Sequence, residues 1–223
     1  KGKILPVNRF VKSVEEQSLK LADSVFGQTV SGKWVYESEV IDYVEEDLFM
    51  IPDLTTIRKI PWNKEPTAQI ICDLQYSDNS PSEIAPRQVL KKIIQILEEE
   101  DMEAVVAPEL EFYLCEQNLD PDLPLKTPVG KSGRRESGSR AFGIDAVNEF
   151  DKLTDDIYDY CEILKIGVDT LTHESGPSQI EINLNHGDPL ALADQAFMFK
   201  RAVRQVALKH GIHATFMAKP YQG

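Results

Sequence analysis

The sequence predicts a mixed α/β chain in two parts: a β-rich first portion, then one in which strands and helices alternate. Three observations carry this. Short apolar runs recur at residues 4–7, 25–30, 33–36, 48–51 and 69–74, parted by turn residues such as Gly27, Gly32, Pro52, Pro61 and Pro66. From Pro86 onward the apolar spacing switches between the helical and the strand period. Between the two lies 78–86, whose Asn79-Ser80-Pro81-Ser82 reads as a boundary. At 223 residues the chain holds one large domain or two small ones, and its 42% hydrophobic and 27% charged residues are a mixture able to build a core.

The first part also predicts a weakly patterned helix around 11–21. Pro86 suits the first turn of a helix, where its missing N–H is not needed. Val89, Leu90, Ile93, Ile94 and Leu97 form that helix's apolar stripe, up to the acidic run 98–101. A strand follows over 105–114. The segment 116–140 is polar and carries Pro121, Pro124, Pro128, Gly130, Gly133 and Gly138. A loop this long inside a compact domain is usually functional or mobile. A helix is expected over 147–164, through Phe150, Leu153, Ile157 and Leu164, and a strand over 180–185. The last helix has Asp188 as N-cap, Pro189 at its first position and Gly211 beyond its end, and a strand over 213–218 follows it.

Lys and Arg number 24 against 37 Asp and Glu, a formal net charge of −13. A nucleic-acid backbone or an anionic membrane needs a cationic footprint, so neither is expected as a partner. No apolar run reaches the roughly 18–20 residues of a membrane-spanning helix. Cys72, Cys115 and Cys161 are odd in number and widely spaced, which fits a reducing, cytoplasmic compartment better than a disulfide framework. The chain opens at Lys1 without an initiator Met and stops at Gly223 without a helix cap, which reads as a fragment of a longer protein.

Chemistry concentrates in two strands. Along 105–114 the side chains alternate, so Val106, Pro108, Leu110, Phe112 and Leu114 share an apolar face while Glu109, Glu111 and Tyr113 share the other. Two readings stand here: a wet sheet face, or carboxylates that meet a divalent cation, for which oxygen ligands select Mg2+ or Mn2+ over zinc. The segment 173–185 repeats the pattern. Ile180, Ile182 and Leu184 face one way, and Gln179, Glu181, Asn183 and Asn185 the other, with Glu174 ahead of the Gly176-Pro177 turn. Two such strands facing one cavity would offer Glu109, Glu111, Glu174 and Glu181, enough for two hard cations and suited to phosphoryl chemistry.

Pro108-Glu109-Leu110-Glu111-Phe112-Tyr113-Leu114, His173-Glu174-Ser175-Gly176-Pro177-Ser178-Gln179-Ile180-Glu181-Ile182-Asn183 and Ala214-Thr215-Phe216-Met217-Ala218-Lys219-Pro220 resemble the glutamine synthetase superfamily. Pro52-Asp53-Leu54-Thr55 through Pro61-Trp62, and Ala85-Pro86-Arg87 opening a helix, support the resemblance. Details such as Val106-Ala107-Pro108-Glu109 and Lys219-Pro220-Tyr221 are similar to the γ-glutamylputrescine synthetase branch, which joins glutamate to an amine.

The resemblance implies an α+β chain: a β-grasp-like N-terminal domain over 1–82 whose start is missing, then the first part of a glutamine-synthetase-type catalytic α/β barrel over 83–223 whose end is missing. It implies that Glu111, Glu174 and Glu181 hold the metal nearer glutamate and the amine, and that Glu109 holds the one nearer the ATP phosphates. The remaining ligands, a His in a Gly-Ser-Gly-Met-His segment and a later Glu, would follow Gly223, as would most phosphate-binding arginines. It implies stacked hexameric rings with active sites between subunits. Thr29 stands where many relatives carry an Asp that helps bind ammonia, which favours a larger amine. The implied reaction is an ATP-dependent ligation through γ-glutamyl phosphate, in nitrogen or polyamine metabolism.

Rival readings are a glutamine synthetase using ammonia, a non-catalytic scaffold relative and a metal phosphohydrolase. Bland roles compete for several residues. His173 either lines the site or takes a surface or supporting role. His186, His210 and His213 read as structural, Trp62 as an edge or interface aromatic, and Phe197, Met198 and Phe199 as packing residues. Lys131, Arg134, Arg135 and Arg140 read as a solvated loop before a phosphate site, and Asp155, Asp156 and Asp159 as a wet helix face.

Overall fold

The computed structural model describes residues 1–35, 46–120 and 122–221; Tyr36 of the run 33–36 and Pro121 of the long loop lie outside the described residues. In chain order the elements are α1 Val7–Glu15, β1 Lys20–Ala22, β2 Asp47–Pro52, β3 Arg58–Lys59, β4 Ala68–Gln69, β5 Cys72–Gln75, α2 Pro86–Glu99, β6 Glu109–Glu116, α3 Ile144–Asn148, α4 Asp151–Leu164, β7 Val168–His173, β8 Gln179–Leu184, α5 Pro189–Lys209 and β9 Ile212–Thr215. The chain divides into two compact units, Lys1–Ile57 with Gln69–Ala104 and Arg58–Ala68 with Val105–Gly223.

In the first unit β1, β2 and β5 form an antiparallel sheet. Leu48, Leu74 and Ala85 are its buried centre, with Leu21, Phe26, Met50 and Tyr76 packed around them. Helix α2 starts at Pro86 as expected. Its Arg87 guanidinium bridges Asp53 and Asp73, at 2.6 Å each, and Lys91 reaches Asp73 at 2.5 Å. Two motifs far apart in sequence, Pro52-Asp53 and Pro86-Arg87, are thus tied by one ionic contact.

Several expectations shift here. Residues 4–7 form no strand, and the helix expected at 11–21 lies earlier, at Val7–Glu15. The run 25–30 is not a strand either: Asp23–Gly27 turns as a 3₁₀ helix. The run 69–74 splits into the end of β4 and β5. Single-sequence periodicity cannot tell such short apolar runs from strands, and Ile4, Val7 and Val30 are left exposed.

In the second unit β7, β8, β6 and β9 lie in that order, and every neighbouring pair is antiparallel. Among the described residues no sheet closes into a barrel. Phe112, Leu114, Ile180, Ile182 and Leu184 turn the apolar face inward. Helices α4 and α5 complete the core with Leu153, Ile157 and Leu164 and with Phe199, Ala202, Val203 and Val206. Phe199 meets Phe112 edge-on with ring centres 6.4 Å apart, which fixes α5 against the sheet. Asp188 caps α5 as its sequence position predicts, accepting from the Ala191 N–H at 2.7 Å, and Gly211 takes a left-handed φ of 71° beyond the end.

Other boundaries differ. The strand expected from 105 begins at Glu109, with only an isolated bridge between Val106 and Gly187 before it. Pro108 has no N–H to donate to the ladder. The helix expected over 147–164 is broken by Phe150, at φ −125°, into α3 and α4. The closing strand is shorter than 213–218. Strand β7 was not expected from the sequence.

Candidate functional site

Strands β6 and β8 put the acidic residues together. Glu111 lies directly opposite Glu181, and Glu109 opposite Asn183. On the other side of β8, Thr172 of β7 pairs with Glu181 and Thr170 with Asn183. Glu174 follows Thr172 by two residues, and its N–H donates to the Gln179 carbonyl at 2.9 Å. Cross-strand partners share a face, with Cβ atoms roughly 5 Å apart. The four predicted carboxylates therefore belong to one polar sheet face, backed by the hydrocarbon of Phe112, Ile180 and Ile182.

Their charges are felt. Burial first, then the charge of Glu174 and those of Glu109 and Glu111, raise the Glu181 carboxyl, against a lowering hydrogen bond from Asn183. Tyr113, on the same face, is also raised, by burial and then by Glu111 and Glu174. Like charges on adjacent strands are destabilising unless a cation or donors separate them. Among the described residues no three His, Cys, Asp or Glu side chains are gathered tightly enough to hold an ion as they stand. Glu111 is engaged instead by the Gln179 amide, which donates to it at 2.6 Å. The donor set is all oxygen, and Asn183 Oδ1 is a buried acceptor on this face with no hydrogen-bond partner. Both features fit a hard divalent cation.

Gln179 and Gly176 order the turn beside this face. The Gly176 N–H donates to Gln179 Oε1 at 2.7 Å, so one buried amide links the turn to Glu111. A Cβ at position 176 would lie 2.5 Å from Tyr113 Cε1 and 2.7 Å from Gln179 Oε1. Any side chain there would have to displace the Tyr113 ring and the Gln179 amide.

The sequence reading missed Glu136. It sits in the polar loop among exposed neighbours, yet its side chain is only 9% exposed. Its Oε2 accepts from the Ser178 N–H at 2.5 Å and faces His173 Nε2 at 3.0 Å. His173 is 1% exposed, which excludes a surface role. The pair is 37 positions apart in sequence, and a lone Glu in a Gly/Ser-rich segment carries no signal of such a partner. The loop cations are partly committed: Lys131 pairs with Asp151 at 2.7 Å and Arg135 with Glu116 at 2.8 Å. Gly130, Ser132, Arg134, Arg140, Glu149 and Phe150 are among the residues lining a cavity of about 290 Å3 in this loop.

The remaining residues behave structurally. His210 and Lys209 both hold Asp156, at 2.6 and 2.7 Å, leaving it half-buried, whereas Asp155 and Asp159 are exposed. Trp62 packs against Tyr160 with ring centres 6.0 Å apart. Met198 and Phe199 are buried, but Phe197 is 53% exposed and is not a core residue. All three cysteines are free, and burial pushes Cys72 up to about 11 and Cys161 up to about 12, so both thiols stay protonated near neutrality. Thr29 is exposed; its hydroxyl accepts from the Lys33 N–H at 3.1 Å within a local turn. Among the described residues no helix is long and apolar enough to cross a membrane.

A family model described as "Glutamine synthetase, catalytic domain" matches residues 83–223. Gamma-glutamylputrescine synthetase PuuA of Escherichia coli is 33% identical over 225 residues, covering 100% of this chain and 47% of that protein. Glutamate–isopropylamine ligase of a Pseudomonas species is 30% identical over 226 residues, covering 99% and 48%. A glutamine synthetase of Methanocaldococcus jannaschii is 32% identical over 200 residues, covering 86% and 42%. The solved structure of GmaS with ADP shares the fold, with a TM-score of 0.76 at 23% identity over 99% of this chain and 46% of that one. The chain spans about half the length of the curated relatives it matches.

Proposed function

Because the chain belongs to the glutamine synthetase family, we propose that it is part of an ATP-dependent ligase joining glutamate to a primary amine. The observation that carries this reading is the shared face of Glu109, Glu111, Glu174 and Glu181, with Glu111 opposite Glu181. In this reading Glu111, Glu174 and Glu181 hold one divalent cation, Mg2+ or Mn2+, and Glu109 contributes to a second. The cations would supply the positive charge that lets two anions, glutamate and ATP, approach in line. Gln179 orients Glu111 through its amide, and Gly176 keeps the turn close enough for that contact. The hydrocarbon behind the face keeps the carboxylates' reverse side dry, which strengthens their hold on cations. A carboxylate is a poor acyl donor, so ATP would phosphorylate the γ-carboxylate to γ-glutamyl phosphate, and the amine would then displace phosphate.

The choice of amine over ammonia is supported by the names of two relatives, a γ-glutamylputrescine synthetase and a glutamate–isopropylamine ligase. Thr29 in place of Asp agrees with it. The second reading, an ammonia-using glutamine synthetase, is favoured by the archaeal glutamine synthetase at nearly the same identity. We also read 1–82 as β-grasp-like and 83–223 as the opening part of the catalytic barrel, within stacked cytoplasmic hexameric rings. The test is Mg2+-dependent ADP release by the full-length protein with glutamate and a panel of amines and ammonium. Stimulation by a primary amine is expected. ADP release independent of glutamate, or unmoved by every nitrogen donor, refutes the ligase.

A further inference from the structure

The turn that carries Glu174 towards Glu181 contains a backbone conformation that needs support. Ser178 has φ 55° and is fully buried. A non-glycine residue in the left-handed region costs on the order of 1 kcal/mol and persists only where its surroundings hold it. The group that holds it is Glu136 Oε2, which accepts the Ser178 N–H at 2.5 Å. The same oxygen faces His173 Nε2 at 3.0 Å, while His173 Nδ1–H donates to the Glu174 carbonyl at 2.8 Å. Both ring nitrogens thus face acceptors, and the imidazole is fixed in plane and rotation. A second contact from the same loop reaches this residue, the Phe142 N–H donating to the His173 carbonyl at 2.8 Å. Glu136 is itself anchored, its carbonyl accepting from the Thr127 hydroxyl at 2.9 Å. Its other oxygen, Oε1, is buried with no hydrogen bond, and Arg140 Nε stands 3.9 Å away. The carboxylate therefore spends its hydrogen bonding on the turn.

We propose that Glu136 is a positioning residue for the acidic face: through His173 and the Ser178 amide it locks the 174–178 turn and so sets where Glu174 stands relative to Glu181. The proposal rests on the metal-site reading above. It gives the Gly/Ser-rich loop a defined role, that of a strap whose one buried carboxylate pins a metal-bearing turn from behind. Residues that orient a ligand without touching the ion commonly alter metal affinity by 10–100-fold when removed.

The test is Mn2+ titration of the full-length protein, without nucleotide, read by electron paramagnetic resonance, with the metal-free thermal midpoint recorded alongside. Glu136→Gln keeps the volume and one acceptor, and about 3–10-fold weaker Mn2+ binding is expected. Glu136→Leu removes both contacts, and about 10–100-fold weakening is expected. Ser178→Gly takes a positive φ without penalty, so adding it to Glu136→Gln should narrow the deficit. Glu136→Gln and Glu136→Leu both within twofold of the parent overturn the proposal, and so does a deficit that Ser178→Gly leaves unchanged. If Glu136→Leu does not fold, Glu136→Gln decides by the same twofold limit. A parent protein that binds no Mn2+ overturns the metal-site reading and this proposal with it, whereas a parent that binds while the variants match it overturns this proposal alone.

Discussion

Replacing Gly176 by alanine tests the packing of the acidic face with one methyl group. The new Cβ would sit 2.5 Å from Tyr113 Cε1, 2.7 Å from Tyr113 Oη and 2.7 Å from Gln179 Oε1. Gly176 does not have the positive φ that excludes side chains, so backbone strain contributes nothing and the effect is steric. Tyr113 and Gln179 are both nearly buried and cannot swing freely into solvent. Overpacking of this kind costs about 1–3 kcal/mol. Moving Gln179 also weakens its bond from the Gly176 N–H and its charge-assisted bond to Glu111, together about 2–3 kcal/mol. A loss of about 3–6 kcal/mol is therefore expected, measured by denaturant unfolding of the full-length protein. The partner experiment uses a Tyr113→Ala background, where two of the three clashing atoms are gone and the cost of Gly176→Ala should fall by at least half. A Gly176→Ala protein within about 0.5 kcal/mol of the parent, or a cost unchanged by Tyr113→Ala, refutes the reasoning.

Two further outcomes follow from local chemistry. The hydroxyl of Thr55, then the Arg87 guanidinium, lower the Asp53 carboxyl against the opposing effect of burial. A lowered folded-state value means the carboxylate contributes stability above the unfolded value, near 4, and loses it as pH falls through the folded one. The stability gap between parent and Asp53→Asn should thus be full at pH 6 and shrink below about pH 4; a gap independent of pH contradicts the ionic account. Asp188→Ala removes the side-chain acceptor from the Ala191 N–H and should cost about 1 kcal/mol, while Asp188→Ser should retain most of it, as read by thermal unfolding.

What was legible in the sequence depended on how local its cause was. The helix starts at Pro86 and Pro189 were readable because proline and an N-cap act within one turn. The split of 105–114 and 180–185 into wet and dry faces was readable because alternation is a property of the strand itself. It put Glu109, Glu111 and Glu181 on the wet side of the two strands that the structure pairs, while Glu174 was read only as lying ahead of the Gly176-Pro177 turn. Less visible were features whose cause lies across the fold. Strand β7 follows Gly167 directly, and its Asp169, Thr170 and Thr172 give no clean alternation. The break at Phe150 falls at a residue type that is not a helix breaker, so nothing local marks it. Glu136 was hidden for the same reason: nothing near it in sequence announces that His173 and the Ser178 amide will surround its carboxylate.

The pairing of Glu111 with Glu181 and of Phe112 with Ile180 has an evolutionary consequence. In an antiparallel ladder, sliding by a single position inverts which side every residue faces. One inserted residue in β8 would bring Ile180 and Ile182 out to water and drive Glu181 into hydrocarbon. Reactive groups and their greasy backing are thus inherited as one indivisible block. Length variation among descendants of this chain should collect in its connecting segments, leaving these two strands free to change letters but never their count.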